Sequence, residues 1–207
     1  MSQAKQNILS ALVNLQGGPR ELGRKIIAYI NAGPGGGKVD MINKSIMDYV
    51  AYDIRLVTGL QQVRFFNGTL LPNQTNQTNG YIRPQNEHMI ITGMGLKMAS
   101  VTAATEFGAE ELVFTKGLLP AVAGMLHTGK ISILNNTTTE LADYPLSELI
   151  NVAELNDSGI SMFNKPIIWM HQTPLVVTLE AGANTPIADG ILDVWLECDL
   201  YGLAFQA

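Results

Sequence analysis

Cysteine is almost missing from these 207 residues: Cys198 stands alone, so neither an internal disulfide nor a cysteine-built zinc site can form within one chain. Long apolar runs are missing too. No stretch reaches the roughly 18 residues of a membrane-crossing helix, and "MSQAKQNILSALVNLQ" has no basic start, apolar block and small-residue cleavage site, so no export signal is expected. Charge is sparse, 15% of residues with a net of −5, which excludes the dense basic stripe of a dedicated nucleic-acid binder. Histidine pairs are absent. His88, His127 and His171 each lack a second histidine within four residues, so the His-x-His ligand pair of metal-dependent β-barrel enzymes cannot be drawn, and each is expected at the surface or a strand end; no metal or cofactor is expected. There is no Gly-x-Ser-x-Gly elbow for a serine nucleophile.

One glycine-rich motif comes close to a phosphate loop and fails. In "AGPGGGKVD", Ala32, Gly37 and Lys38 fit the Walker pattern, but Val39 stands where a magnesium-binding hydroxyl is needed. The residues ahead of it, Leu22, Ile26, Tyr29 and Ile30, recur at helical spacing behind Pro19. Residues 33–37 therefore read as a hinge between two helices. Downstream, Ile42, Ile46, Tyr49 and Val50 repeat the helical spacing behind Asp40 as N-cap. Upstream, Ile8, Leu12 and Leu15, with Leu9 and Val13 beside them, form another short amphipathic helix ended by Gly17-Gly18. Such short helices are marginal in water and need a surface to cover.

Apolar composition of 46% is enough to bury a substantial core. A change of texture near residue 66 divides the charge. Residues 1–66 hold eight Lys or Arg against four acids, a net of +4, and the remainder holds five against fourteen, a net of −9. The expected organisation is an N-terminal arm over 1–66, an uncharged Asn/Thr-rich loop over 67–80 containing the repeat NQT-NQT, and a β-body over 81–207. The six Asn-x-Ser/Thr sequons are read as turn chemistry. Residues 54–66 carry strand-like text with Ile54, Leu56, Val63 and Phe65 as inward candidates, broken at Gly59.

From Tyr81 the apolar residues alternate in short runs broken about every ten residues by Gly, Pro, Asn or Asp, the pattern of a β-sandwich of about eight strands. In "GILDVWLECDLYG", Leu192, Val194, Leu196, Cys198 and Leu200 share one face, and Ile191, Asp193, Trp195, Glu197, Asp199 and Tyr201 share the other. "TPLVVTLEAG" sends Leu175, Val177 and Leu179 inward. "HMIITGMGLKM", "ELVFT", "KISIL", "MFN" and "IIWMH" supply further strands, Pro166 opening the last, and "PLSELINVAEL" (145–155) a crossover helix that uses Leu146, Leu149, Ile150 and Val152 to cover one end. Cys198 fits a small apolar filler, and Met89, Met94, Met98, Met125 and Met170 fit irregular gaps in a core or a repacking contact surface. Asp193, Glu197 and Asp199, with Glu180 on a possible neighbour, are the candidates for a glycosidase-type carboxylate pair. Outward acids on a strand more often serve solvation or subunit contact.

The run "TPLVVTLEAGANTPIADGILDVWLECDLYG", behind "KISIL" and "PIIWMH", resembles the closing half of the single jelly roll of coat proteins from icosahedral viruses, bacteriophages among them. The likeness covers residues 81–207 in pattern and contains no short diagnostic motif. It implies an eight-stranded jelly-roll body with a helical N-terminal arm, in a capsid protein that assembles with copies of itself and with other virion proteins. It implies no catalytic site and no small-molecule substrate. On that expectation Ile8, Leu9, Leu12, Leu22, Ile26 and Ile30 are the arm's assembly contacts. Arg20, Arg24 and Lys25 are candidates for weak contact with nucleic acid or a membrane, and Trp195 and Tyr201 for contacts on the outer face. The chain would be made in a host cytoplasm and located in the virion. The competing expectation is a carbohydrate- or receptor-binding sandwich whose Trp169, Trp195 or Tyr201 project together as a stacking platform.

Overall fold

The computed structural model describes residues 45–67, 74–77, 82–83, 87–102, 112–116, 128–149, 160–182 and 192–206. The arm residues Ile8 to Ile30, the hinge at 33–37, His127, Ile150 and Val152 lie outside the described residues.

Nine strands run through the described residues: β1 (Ser45–Leu56), β2 (Gln62–Phe65), β3 (His88–Thr102), β4 (Thr115–Lys116), β5 (Lys130–Asn135), β6 (Thr138–Pro145), β7 (Ser161–Trp169), β8 (Leu175–Glu180) and β9 (Leu192–Gln206). Their pairings are all antiparallel. The first sheet runs β1-β9-β3-β4, with β7 also paired to β3, and the second runs β2-β8-β5-β6. Side chains from both sheets meet in one hydrophobic cluster, so the protein is a mainly β, two-layered sandwich.

Alternation in the sequence dictates which face is inside. On β8, Leu175, Val177 and Leu179 are buried, and on β9 the same holds for Val194, Leu196, Cys198 and Leu200, as their spacing predicts. β3 cannot follow one alternation throughout, because its apolar residues change parity between Ile91 and Met94. A bulge between Ile91 and Gly93 absorbs the extra residue, so Met89 and Ile91 before it and Met94, Leu96 and Met98 after it all face the core. The three methionines are core filling. Cys198 is wholly buried, and burial first, then the charges of Asp199, Asp53 and Glu197, push its thiol well above the usual value.

Three elements differ from expectation. The helix expected over 42–50 is strand from Ser45 onward, and β1 and β2 give one strand to each sheet, so the boundary at residue 66 cuts through the β-body rather than preceding it. Tyr49 and Val50 lie on opposite sides of β1. Its inner face carries Ala51, Asp53 and Arg55, opposite Leu200, Cys198 and Leu196, whereas Ile54 and Leu56 lie on the outer face with Glu197 and Trp195 as partners. Second, "MFN" and "IIW" are one strand, β7, with Pro166 inside it; among the described residues β7 pairs only with β3, and such an edge tolerates a residue without an N–H. Third, "ELVFT" contributes only Thr115 to a two-residue strand. The crossover helix is present at 146–149, where Leu146 and Leu149 enter the core.

The repeat NQT-NQT has a structural task. Residues 74–77 lie along the free edge of β1: Ile54 N donates to Gln74 O at 2.7 Å, Thr75 Oγ1 to Tyr52 O at 2.7 Å, Tyr52 N to Asn76 Oδ1 at 3.0 Å and Asn76 Nδ2 to Val50 O at 2.6 Å. A row of strand amides and carbonyls that would otherwise await a partner is thereby satisfied from within the chain.

Candidate functional site

The outer face of the first sheet gathers the chemistry that sequence alternation placed on β9. Cross-strand register sets Trp195 opposite Ala99, Glu197 opposite Lys97, Asp199 opposite Gly95 and Tyr201 opposite Gly93. Gly93 admits no side chain, because Ile160, Ser161 and Met162 cover it closely, and Lys97 reaches along the strand from its place opposite Glu197 to Asp199. Lys97 Nζ lies 2.5 Å from Glu197 Oε1 and 2.6 Å from Asp199 Oδ2, and Tyr201 donates its hydroxyl to the same Asp199 oxygen at 2.8 Å.

The group is far drier than an ordinary surface ion cluster. Asp199 is 1% exposed although it sits on the outer face, and its side chain and those of Glu197 and Lys97 are 1%, 14% and 28% exposed. Burial raises the Glu197 carboxyl above its ordinary value, against the opposing hydrogen bond from Lys97. Burial alone would lower Lys97, but its hydrogen bonds to Asp199 and Glu197 and their charges outweigh that and leave it raised. Tyr201 is raised as well, by burial and then by the Asp199 charge. Asp199 Oδ1 has no hydrogen-bond partner among the described residues. On one flank lies a second apolar cluster, Ile54, Ala99 and Trp195, with Tyr52, Leu112 and Phe114 against it.

Trp195 and Tyr201 therefore share a face, as expected, yet neither is a free contact residue. Trp195 is 8% exposed, packed with Ile54 and Ala99, and Tyr201 is tied to Asp199. Trp169 lies on the other side of the sheet in the main core, fully buried, its indole donating to Thr173 O at 2.9 Å. The three rings do not form a stacking platform. The glycosidase pairing changes too, because Glu180 belongs to the second sheet, where it meets Gln62 and Lys130, and Glu197 and Asp199 are both engaged by one lysine. Arg20, Arg24 and Lys25 lie outside the described residues.

Two further polar groups were not visible in the sequence. At one end of the sandwich Arg83 is 1% exposed, its guanidinium 4.9 Å from the Tyr49 ring centroid and 5.6 Å from that of Trp169, with Nη1 donating to Gln77 and Nη2 to Glu87. Beside it His88 and His171 meet edge to face at 4.9 Å, and the His171 amide donates to His88 Nδ1. His88 opens β3, one of the two placements expected for it, and is buried there. Between the sheets, Asp53 is 1% exposed and accepts the Phe66 amide and the Arg55 guanidinium, while Arg55 Nη2 donates to Asn67 O. Phe66 holds a φ of 58°, a conformation rare for an aromatic residue, and the Asp53 hydrogen bond helps to fix it. Among the described residues no group of three or more His, Cys, Asp or Glu is placed to hold a metal ion.

Comparison with protein-family models, with curated proteins and with solved structures gives no match.

Proposed function

We propose that this chain is a virion structural protein whose body is a jelly roll and whose work is self-assembly rather than catalysis. The observation that carries this is the nesting of its strand pairs. β1 pairs with β9, β2 with β8, β3 with β7 and β5 with β6, with β4 a short addition at the edge of β3. Outermost strand against outermost, inward to the central hairpin, is the order produced when one long antiparallel hairpin rolls up on itself. The same rolling makes β9 and β3, and β8 and β5, neighbours. Eight strands wrapped in this way are the architecture of many viral coat proteins, though also of lectins and cupins, so the fold alone does not choose among them.

Assembly is favoured over the other uses by what the sheets carry. The aromatic platform that a glycan site requires is not assembled, for Trp169 is inside and Trp195 is packed. Exposed apolar residues punctuate the body instead, among them Val50 and Leu56 on the outer side of β1, Val113 beside the second cluster and Leu134 on β5. Residues 1–44, with their amphipathic and mildly basic text, precede β1 and are the segment proposed to reach neighbouring subunits. Among the described residues no helix is long and apolar enough to cross a membrane.

Light scattering and negative-stain microscopy of the purified full chain test the proposal. Rings, sheets or closed shells of many subunits are expected, and a chain that stays monomeric at high concentration overturns it.

A further inference from the structure

We infer that Lys97 and Asp199 are the two ends of an intrachain isopeptide bond, formed autocatalytically with Glu197 as the proton shuttle, base first and acid second. The three groups meet the geometric demands of that condensation. Nζ is 2.6 Å from Asp199 Oδ2, so the carboxyl carbon is no more than one C–O bond further away, close to the near-attack separation of about 3–3.5 Å. Glu197 Oε1 is 2.5 Å from the same nitrogen, close enough to take its proton. The Tyr201 hydroxyl, 2.8 Å from Asp199 Oδ2, polarises the carboxyl that is to be attacked.

The step balances within the triad. Lys97 passes a proton to Glu197 and becomes a neutral amine. Its lone pair attacks Asp199 Cγ, forming the C–N bond. Glu197 returns the proton to the departing Asp199 oxygen, which leaves as water with the second amine proton, and Glu197 ends as the carboxylate it began as. No oxidant or co-reactant enters. Burial, by raising Glu197, makes it a better reservoir for the proton. The same carboxylates hold the Lys97 ammonium above its ordinary value, so deprotonation is uphill and the bond forms slowly after folding.

An internal comparison separates this triad from an ordinary ion cluster. Lys130 also has two acid partners, with Asp143 Oδ1 at 2.7 Å and Glu180 Oε2 at 3.3 Å, but these side chains are 45%, 68% and 41% exposed. Water there solvates every charge and would compete at each step. At Lys97 the target carboxylate is 1% exposed, has one oxygen without a partner among the described residues, and is flanked by the Ile54, Ala99 and Trp195 cluster. The lysine needed for condensation is thus held in the dry site and not only in the wet one.

Intact mass spectrometry of the denatured full-length chain decides. Allowing for removal of Met1, the expected mass is one water below that of the sequence, with tandem spectra joining a Lys97 peptide to an Asp199 peptide and leaving Lys130 unmodified. Lys97→Arg is expected to restore the full mass, and Glu197→Gln to retard the loss strongly while circular dichroism shows an unchanged fold. Asp199→Asn is expected to give the same link by losing ammonia instead. A wild-type chain at full sequence mass after days of incubation as folded protein overturns the inference, as does a water loss that maps elsewhere, for example to an imide at Asp189-Gly190. The wild-type result stands even if a variant fails to fold.

Discussion

Replacing Gly202 by alanine should be among the most damaging single-methyl additions available in this sandwich. Gly202 sits on β9 opposite Tyr49 of β1 and Ile91 of β3, next to the bulge where β3 changes parity. A Cβ there would lie 1.8 Å from the Ile90 carbonyl oxygen, 2.8 Å from its carbon and 3.0 Å from Ile91 Cα, all backbone atoms that cannot rotate away. Ordinary contact begins at 3.4 Å, so β3 and β9 would have to separate by about 1.6 Å at the centre of a sheet. Overpacking costs about 1–3 kcal/mol when side chains can adjust. Here neighbouring ladder hydrogen bonds, each worth about 1 kcal/mol net, are strained as well, and about 4 kcal/mol is expected. Urea unfolding followed by tryptophan fluorescence measures it, and with a slope of about 2–3 kcal/mol/M the midpoint should fall by more than about 1 M. Gly59→Ala is the control. Its φ of 75° disfavours a side chain but nothing lies within 4 Å, so only the conformational cost of about 1 kcal/mol applies. A Gly202→Ala chain within about 1 kcal/mol of wild type, or a Gly59→Ala chain that loses more stability than Gly202→Ala, would show that the β3–β9 backbone contact does not limit packing.

Asp53 gives a pH signature. Burial, against the Phe66 amide and Arg55, leaves its carboxyl above the ordinary 3.8, so the folded chain holds that proton more tightly than the unfolded one. This contribution to stability is complete below 3.8 and is lost as pH rises through the folded value; Asp53→Asn lacks it, so the variant should gain on wild type as pH climbs from 3.8, and parallel pH–stability curves would contradict this. Cys198, buried and hard to ionise, should resist thiol reagents in the native protein and react fully in denaturant; stoichiometric native labelling would show a core that opens readily. Asn76→Ala removes both hydrogen bonds that its side chain makes to β1 and should cost about 1–2 kcal/mol, with more aggregation on concentration; unchanged stability and solubility would show that this edge needs no cover.

How much of this was legible depends on which way polarity points. β8 and β9 are written in plain alternation because the side chains they turn inward are all apolar themselves. β1 could not be read so. Its inner face carries Asp53 and Arg55 while Ile54 and Leu56 point outward, and the inverted pattern leaves Ile46, Tyr49 and Val50 looking helical. Local spacing cannot report that a carboxylate will find the Phe66 amide thirteen residues on. The acids of the candidate site were visible on β9, but the lysine that organises them is 100 residues away from Glu197 and is set opposite it only by strand register. Arg83, His88 and His171 converge for the same reason, through packing at the end of the sandwich rather than through any motif.

The NQT repeat has a consequence for how such molecules can accumulate. A sheet whose flank is already taken along Val50 to Ile54 cannot recruit a second molecule's backbone on that stretch. If copies associate on this side of the body, they have to meet through faces and loops, where side-chain shape sets the angle between them. Curvature and a finite particle can be encoded in such contacts; endless ribbon growth from that flank cannot.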